Sequence, residues 1–252
     1  MTLHWDCADI QVIGERKGQE DYSRFHVGSN GALCVLADGM GGHAAGDVAA
    51  RLAVDTFLTT CLEVGFPWAD HFLFALNEAN KAIAVGVRDE PARQGMGCTL
   101  VAVELRDDRL RWISVGDSRL YLYRGGDLSR LNADHSMAGR LDALVATGEI
   151  SAEQANADPS RNMLLSALTG EQLGLTDYNF RGRDVGPGDL VVLASDGLDT
   201  LDGAELHACL ERYSGWRAED IARGLVSCVI KRGRPRQDNT TALVVRVTSA
   251  IS

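Results

Sequence analysis

Three largely apolar runs in this chain each lead into an aspartate. Leu33-Cys34-Val35-Leu36-Ala37 runs into Asp38-Gly39, Trp112-Ile113-Ser114-Val115-Gly116 into Asp117-Ser118, and Leu190-Val191-Val192-Leu193-Ala194-Ser195 into Asp196-Gly197. Runs of this length bounded by turn residues read as buried strands. Two further acidic sites flank strand-like segments: Asp238-Asn239 precedes Ala242–Val247, and Glu20-Asp21 precedes Tyr22–Val27. Taken singly, an aspartate with glycine after a strand is an ordinary turn signal. Taken together, carboxylates delivered to one edge of a layered β structure repel one another unless a cation sits among them. Cysteine is absent from these positions and histidine nearly so, which leaves an all-oxygen donor set and points to Mg²⁺ or Mn²⁺ rather than Zn²⁺.

The remaining pattern fixes the architecture around those strands. Further strand-like runs occur at Ile10–Ile13, Leu100–Leu105, Leu110–Val115 and Leu120–Tyr123, and the turns Arg106-Asp107-Asp108-Arg109 and Arg124-Gly125-Gly126-Asp127 predict antiparallel hairpins. Apolar residues recur at helical spacing over Val48–Leu62 and Phe72–Val87, and again over Ala204–Tyr213 and Ala218–Lys231. Helices thus come in pairs between groups of strands, which favours α+β layers over strict βαβ alternation. Ser136–Arg161 is helical and poor in strand formers, with a capping box at Ser151-Ala152-Glu153-Gln154, and is too short for a domain of its own. The expectation is one domain over residues 1–252, with that segment as an excursion.

A net charge of −10 over 252 residues argues against nucleic-acid or anionic-membrane partners. The six cysteines lie outside C-x-x-C pairs and several sit in apolar runs, as reduced cysteines do. With no basic-then-apolar leader and no apolar stretch of about 18 residues, a cytoplasmic, reducing location is expected.

Two divalent ions about 3.5–4 Å apart would activate a water and stabilise in-line displacement at phosphorus. Arg16, four residues before Glu20, is placed to offer a bidentate fork to phosphate. The run Leu36 to Asp47, rich in glycine, joins a strand to a helix and lets other atoms approach the backbone.

In order along the chain stand Arg16-x-x-Gln19-Glu20-Asp21, Asp38-Gly39-Met40-Gly41-Gly42-His43-x-x-Gly46, Gly97-Cys98-Thr99-Leu100-Val101, Gly116-Asp117-Ser118-Arg119-x-Tyr121, Asp134-His135-Ser136, Ser195-Asp196-Gly197 and Asp238-Asn239-Thr240. This series resembles the bacterial branch of the metal-dependent protein phosphatases of type 2C. The resemblance implies a four-layer αββα sandwich, two antiparallel sheets flanked by helix pairs, with a small helical flap at about residues 136–161 that borders the active site. It implies two core metal ions held by Asp38, the Gly39 carbonyl, Asp196 and Asp238, with Asp38 bridging, and Glu20 and Asp21 supporting the second ion partly through water. It further implies a third, weaker ion at Asp117 and Asp196, and a phosphate-holding role for Arg16. Gln19, Asp47 and Cys98 depart from the family's usual residues without removing a ligand. Animal relatives carry a histidine two residues after the bridging aspartate, where this chain has Met40, so His43 is the candidate general acid, with a water as the competing donor.

The activity so implied is hydrolysis of phosphoserine and phosphothreonine in proteins by direct attack of a metal-activated water, with phosphoproteins and a serine/threonine kinase as partners and a monomeric chain. The alternative is a pseudophosphatase or phosphoprotein-binding module of the same fold, against which the full set of core aspartates speaks. Cys228-Val229-Ile230-Lys231-Arg232-Gly233-Arg234 satisfies a bare C-x5-R spacing, but its helical surroundings cannot cradle phosphate about a thiolate. His135 reads as a structural link between sheet and flap, and Trp112 and Trp216 as core or interface residues.

Overall fold

A computed structural model of the chain describes residues 3–41 and 45–249. The elements in chain order are β1 (Leu3–Val12), β2 (Asp21–Gly28), β3 (Gly31–Met40), α1 (Gly46–Val64), α2 (Phe72–Asp89), β4 (Gly97–Cys98), β5 (Leu100–Arg106), β6 (Arg109–Val115), β7 (Arg119–Arg124), β8 (Asp127–Arg130), α3 (Met137–Thr147), α4 (Ala152–Ala157), β9 (Asp177–Asp184), β10 (Leu190–Ala194), α5 (Gly203–Tyr213), α6 (Ala218–Arg232) and β11 (Thr240–Ser249). Among the described residues the strands form two antiparallel sheets, one in the order β1-β11-β10-β7-β8 and one in the order β2-β3-β5-β6-β9, with β4 pairing the end of β3.

The apolar runs are continuous because the central strands are buried on both faces. Side chains alternate across a strand, so Ala32, Cys34 and Leu36 of β3 enter the layer between the sheets, where they meet Leu120, Leu193 and Leu243. Leu33, Val35 and Ala37 point the other way into a second layer with Ala49, Phe57, Phe72 and Ile83 of α1 and α2. On the far side, Val192, Ala194 and Val244 pack against Leu210, Ile221 and Leu225 of α5 and α6. The layering is therefore α, β, β, α.

Both predicted hairpins form: Arg106 pairs with Arg109 and Arg124 with Asp127. Asp107 takes a left-handed φ of 53°, which aspartate tolerates in such turns. The capping box at Ser151 is present in full, with Gln154 N donating to Ser151 Oγ and Ser151 N donating to Gln154 Oε1. Cys228 lies within α6, in keeping with the helical reading of its segment. Trp112 is buried with its Nε1 donating to Asp177, whereas Trp216 is 56% exposed. No helix among the described residues is long and apolar enough to cross a membrane.

Phe57 is fully buried in the layer between α1, α2 and β3, and Leu73 on α2 is 46% exposed. Phe57→Ala is expected to lower the unfolding free energy by about 3–5 kcal/mol and Leu73→Ala by less than about 0.5 kcal/mol, read from denaturant midpoints at constant slope.

Candidate metal centre

Strand register brings the acidic residues to one end of the sandwich. Asp21, first in β2, sits opposite Asp38 near the end of β3. In the other sheet, Val12 pairs with Thr240 and Ala194 pairs with both Ala242 and Arg119. That register sets Asp238, Asp196 and Asp117 beside one another, just beyond the ends of β11, β10 and β7. A cleft of about 1570 Å³ opens there, lined by Arg16, Glu20, Asp38, Gly39, Asp47, Asp117, Asp196 and Asp238 among others.

Two glycines let the surrounding loops close. A Cβ on Gly39 would lie 2.2 Å from the Gly46 carbonyl oxygen, and one on Gly197 would lie 2.0 Å from that of Asn239. Only glycine permits either approach. Gly39 N donates to the Glu20 carbonyl, and Glu20 N donates to Asn239 Oδ1 at 2.8 Å. Asn239 Nδ2 donates in turn to the carbonyls of Ile13 and Gly18, so this one amide ties down the loop carrying Arg16 and Glu20. Asp38 is bracketed by Thr99: Asp38 N donates to Thr99 Oγ1, and Thr99 N donates to the Asp38 carbonyl, each at 2.9 Å.

Asp21 stands behind the lining rather than in it. It is 3% exposed, and its Oδ2 accepts from Ser195 Oγ at 2.6 Å and Thr241 Oγ1 at 2.7 Å. Its Oδ1, like Oδ1 of Asp47, is buried without a hydrogen-bond partner. Arg16 Nη2 donates to Asp238 Oδ2 at the mouth of the cleft. Arg119 pairs with Asp199 and lies within 4.0 Å of Asp117 and 3.9 Å of Asp134. His135, 5% exposed, accepts from Gly116 N at Nδ1 while its backbone joins Gly116 to Leu165, so it links the sheet to the segment after the 136–161 excursion. His43 lies outside the described residues.

The electrostatics follow from this crowding. Burial, then repulsion from Asp21, Asp196, Asp117 and Asp238, holds the Asp38 carboxyl well above the usual range. Burial pushes Asp196 up to about 7, helped by Asp117, Asp238 and Asp21 and opposed by Arg119. Burial raises Asp21 to about 6 against the two hydroxyl hydrogen bonds. Asp117 and Glu20 are raised chiefly by burial too, with Arg119 and Arg16 respectively opposing.

Among the described residues no three His, Cys, Asp or Glu side chains close on one point, although the carboxylates repel one another across the cleft. Such spacing suits ions that keep several waters and use only one or two carboxylates each, as Mg²⁺ does. The all-oxygen donors, the orphaned Asp21 and Asp47 oxygens and the shared repulsion all fit bound divalent cations. Asp38, Asp117, Asp196, Asp238 and the Gly39 carbonyl could supply direct oxygens, with Glu20, Asp21 and Asp47 close by.

The cleft wall differs from the expectation in one respect. Residues of the 136–161 excursion do not line it; the segment after it does, through Asn162, Met163, Leu165, Thr169 and Gln172. Asn239 and the Arg119–Asp199 pair are supports of the cleft that residue patterning did not single out; Asn239 and Arg119 lie inside motifs it quoted, and Asp199 lies two residues beyond one.

The raised carboxyls link stability to pH. A folded-state value raised from 3.8 to about 7, as for Asp196, favours the metal-free fold while the group is protonated, and that contribution is lost as pH rises from about 4 to about 7. Mn²⁺ held by the ionised form would offset the loss. The Mn²⁺-induced rise in unfolding midpoint is therefore expected to be larger at about pH 8 than at about pH 5 by differential scanning fluorimetry; equal rises would contradict these assignments.

The sequence profile of the family described as "Protein phosphatase 2C" matches residues 13–227. The chain is 35% identical over 218 residues to the serine/threonine protein phosphatase PstP of Mycobacterium tuberculosis, covering 85% of this chain but 40% of that protein. It therefore spans well under half the length of that relative. It is 33% identical over 202 residues to the protein phosphatase PhpP of Streptococcus pneumoniae, covering 76% of this chain and 78% of that one. A solved structure of the PstP catalytic domain in complex with two manganese ions matches with a TM-score of 0.79 at 32% identity, over 98% of this chain and 100% of that one. The profile spans most of the chain, and the two sheets, the paired helices and the acidic cleft agree with it: the chain belongs to the protein phosphatase 2C family.

Proposed function

We propose that the chain is a metal-dependent protein phosphatase that hydrolyses phosphoserine and phosphothreonine by direct attack of water. The observation that carries this reading is the meeting of Asp38, Asp117, Asp196 and Asp238 in one cleft with an arginine at its mouth. Asp38, the Gly39 carbonyl, Asp196 and Asp238 would hold two divalent ions, with Asp38 the residue offered to both, and Glu20 and Asp21 would support one of them partly through water. Asp117 and Asp196 offer a third, weaker position. The ions are Mg²⁺ or Mn²⁺; when bound they lower the pKa of water in the cleft and neutralise the charge that develops on the phosphoryl group.

The chain's own residues supply the rest. Arg16 is 56% exposed at its side chain, so its guanidinium reaches solvent while one nitrogen stays on Asp238. Its remaining donors are free to take two phosphoryl oxygens, holding phosphorus over the carboxylates. Thr99 and the Asn239 amide hold the Asp38 and Glu20 backbones in place, so little reorganisation accompanies charge development. His43 is the proposed proton donor to the departing serine or threonine oxygen. The wall at Asn162–Gln172 is placed to meet the polypeptide around the phosphorylated residue. One chain carries the whole set, which supports a monomer, and free cysteines suit a reducing, cytoplasmic compartment with a serine/threonine kinase as the opposing enzyme.

Hydrolysis of p-nitrophenyl phosphate and of phosphothreonine peptides is expected to stop in excess EDTA and return with Mn²⁺; persistence in chelator would overturn the reading. Asp38→Ala and Asp196→Ala are each expected to reduce activity to background. Arg16→Ala is expected to lower kcat/KM by about 10²–10³-fold while leaving the Mn²⁺-induced rise in unfolding midpoint in place, which separates phosphate holding from metal holding.

A further inference from the structure

Helices α5 and α6 run antiparallel over the outer face of the sheet containing β10 and β11, and two contacts between them share one register. A Cβ on Gly224 would lie 2.6 Å from the Tyr213 ring, so only glycine lets the helices come this close. One helical turn before Tyr213 is Cys209, and one turn after Gly224 is Cys228. The same register therefore sets Cys209 against Cys228, with their sulfurs 2.7 Å apart. That is well inside the van der Waals separation of two sulfurs and not far beyond the S–S bond of about 2.05 Å. Cys209 is buried, with its sulfur 3.6 Å from the Gly224 carbonyl oxygen, and Cys228 is half-buried. Among the described residues no third His, Cys, Asp or Glu joins them, so the pair is a dithiol rather than a metal site.

We propose that Cys209 and Cys228 form a reversible dithiol–disulfide site that takes a hydroperoxide as its oxidant. Cys228 is the point of entry, because it reaches solvent while burial and the contact with Cys228 push the Cys209 thiol up to about 12. Arg212 and Lys231 oppose that rise at Cys209 without cancelling it. The Cys228 sulfur attacks a peroxide oxygen: an S–O bond forms, the O–O bond breaks and, for hydrogen peroxide, water leaves, giving the sulfenic acid. The Cys209 sulfur then attacks the Cys228 sulfur: the S–S bond forms, the S–O bond breaks, and the departing hydroxide takes the Cys209 proton as a second water. Two thiols thereby give two electrons to one peroxide. A dithiol reductant reverses the link by exchange. Besides the sheet, α6 packs against the turn Asp196–Thr200, so the link ties α5 to the helix that backs Asp196 and Asp199.

The test uses the reduced full-length chain treated with stoichiometric hydrogen peroxide, alkylated with N-ethylmaleimide and mapped by peptide mass spectrometry. The expected result is a linked peptide joining Cys209 to Cys228, a protein mass about 2 Da lower before alkylation, and recovery of both thiols in dithiothreitol. The unfolding midpoint under non-reducing conditions should rise by roughly 5–10 °C. Cys228→Ser should abolish both the linked peptide and the rise. Three results would each overturn the proposal: both thiols still alkylating freely, Cys228 passing to sulfinic acid without a link, or another pair such as Cys7 and Cys34 linking first.

Discussion

Repulsion among carboxylates buried at the end of an apolar sandwich is the constraint on which the site depends. Asp38, Asp196 and Asp21 are each raised first by burial, and neighbouring carboxylates add to it: Asp21, Asp196, Asp117 and Asp238 at Asp38, then Asp117, Asp238 and Asp21 at Asp196, and Asp238 at Asp21. Surface carboxylates could turn away into water, but these cannot. Thr99 brackets Asp38, Ser195 and Thr241 hold Asp21, and Arg119 stands beside Asp117. Like charges held together in this way would be relieved by a cation that is not a side chain. Arg119 and Arg16 answer part of the charge, and the donors left over are oxygens suited to hard divalent ions.

The rigidity needed for such an arrangement comes from strands buried on both faces. β3 turns Ala32, Cys34 and Leu36 into the layer between the sheets and Leu33, Val35 and Ala37 into the helix layer, so Asp38 emerges from a strand with no freedom to shift register. β10 does the same for Asp196. A slip of one residue in either strand would exchange the contents of two core layers. The site is thus positioned by packing several residues away from it, while the loop bearing Arg16 is held by the Asn239 amide and by the Glu15 backbone N–H on the Gln237 carbonyl.

Legibility in the sequence followed the same physics. β10 is found at its predicted bounds, and α1, α2, α5 and α6 fall within two residues of their apolar periodicity, because doubly buried strands and amphipathic helices leave strong patterns. β9 was not visible. Asp177–Asp184 is a half-exposed edge strand carrying Arg181, Arg183 and Asp184, and charge that discourages edge pairing also erases the alternation by which a strand is recognised. β1 begins at Leu3 rather than Ile10 for a like reason, its polar residues interrupting the apolar pattern. The site residues were legible as strand-end aspartates, and register explains their meeting. That Asp21 stands behind the lining, and that Asn162–Gln172 rather than the helices before it forms the cleft wall, depend on tertiary packing of segments with no period of their own.

The chain belongs to the protein phosphatase 2C family, and the electrostatics of its cleft support the proposed centre. The central claim is that Asp38 is shared between two divalent ions, with Asp196 and Asp238 on either side. The most direct measurement is the anomalous difference density of a crystal grown with Mn²⁺. The account predicts two peaks about 3.5–4 Å apart, both in contact with Asp38. A cleft without peaks, or manganese bound only at positions that Asp38 does not touch, would contradict it.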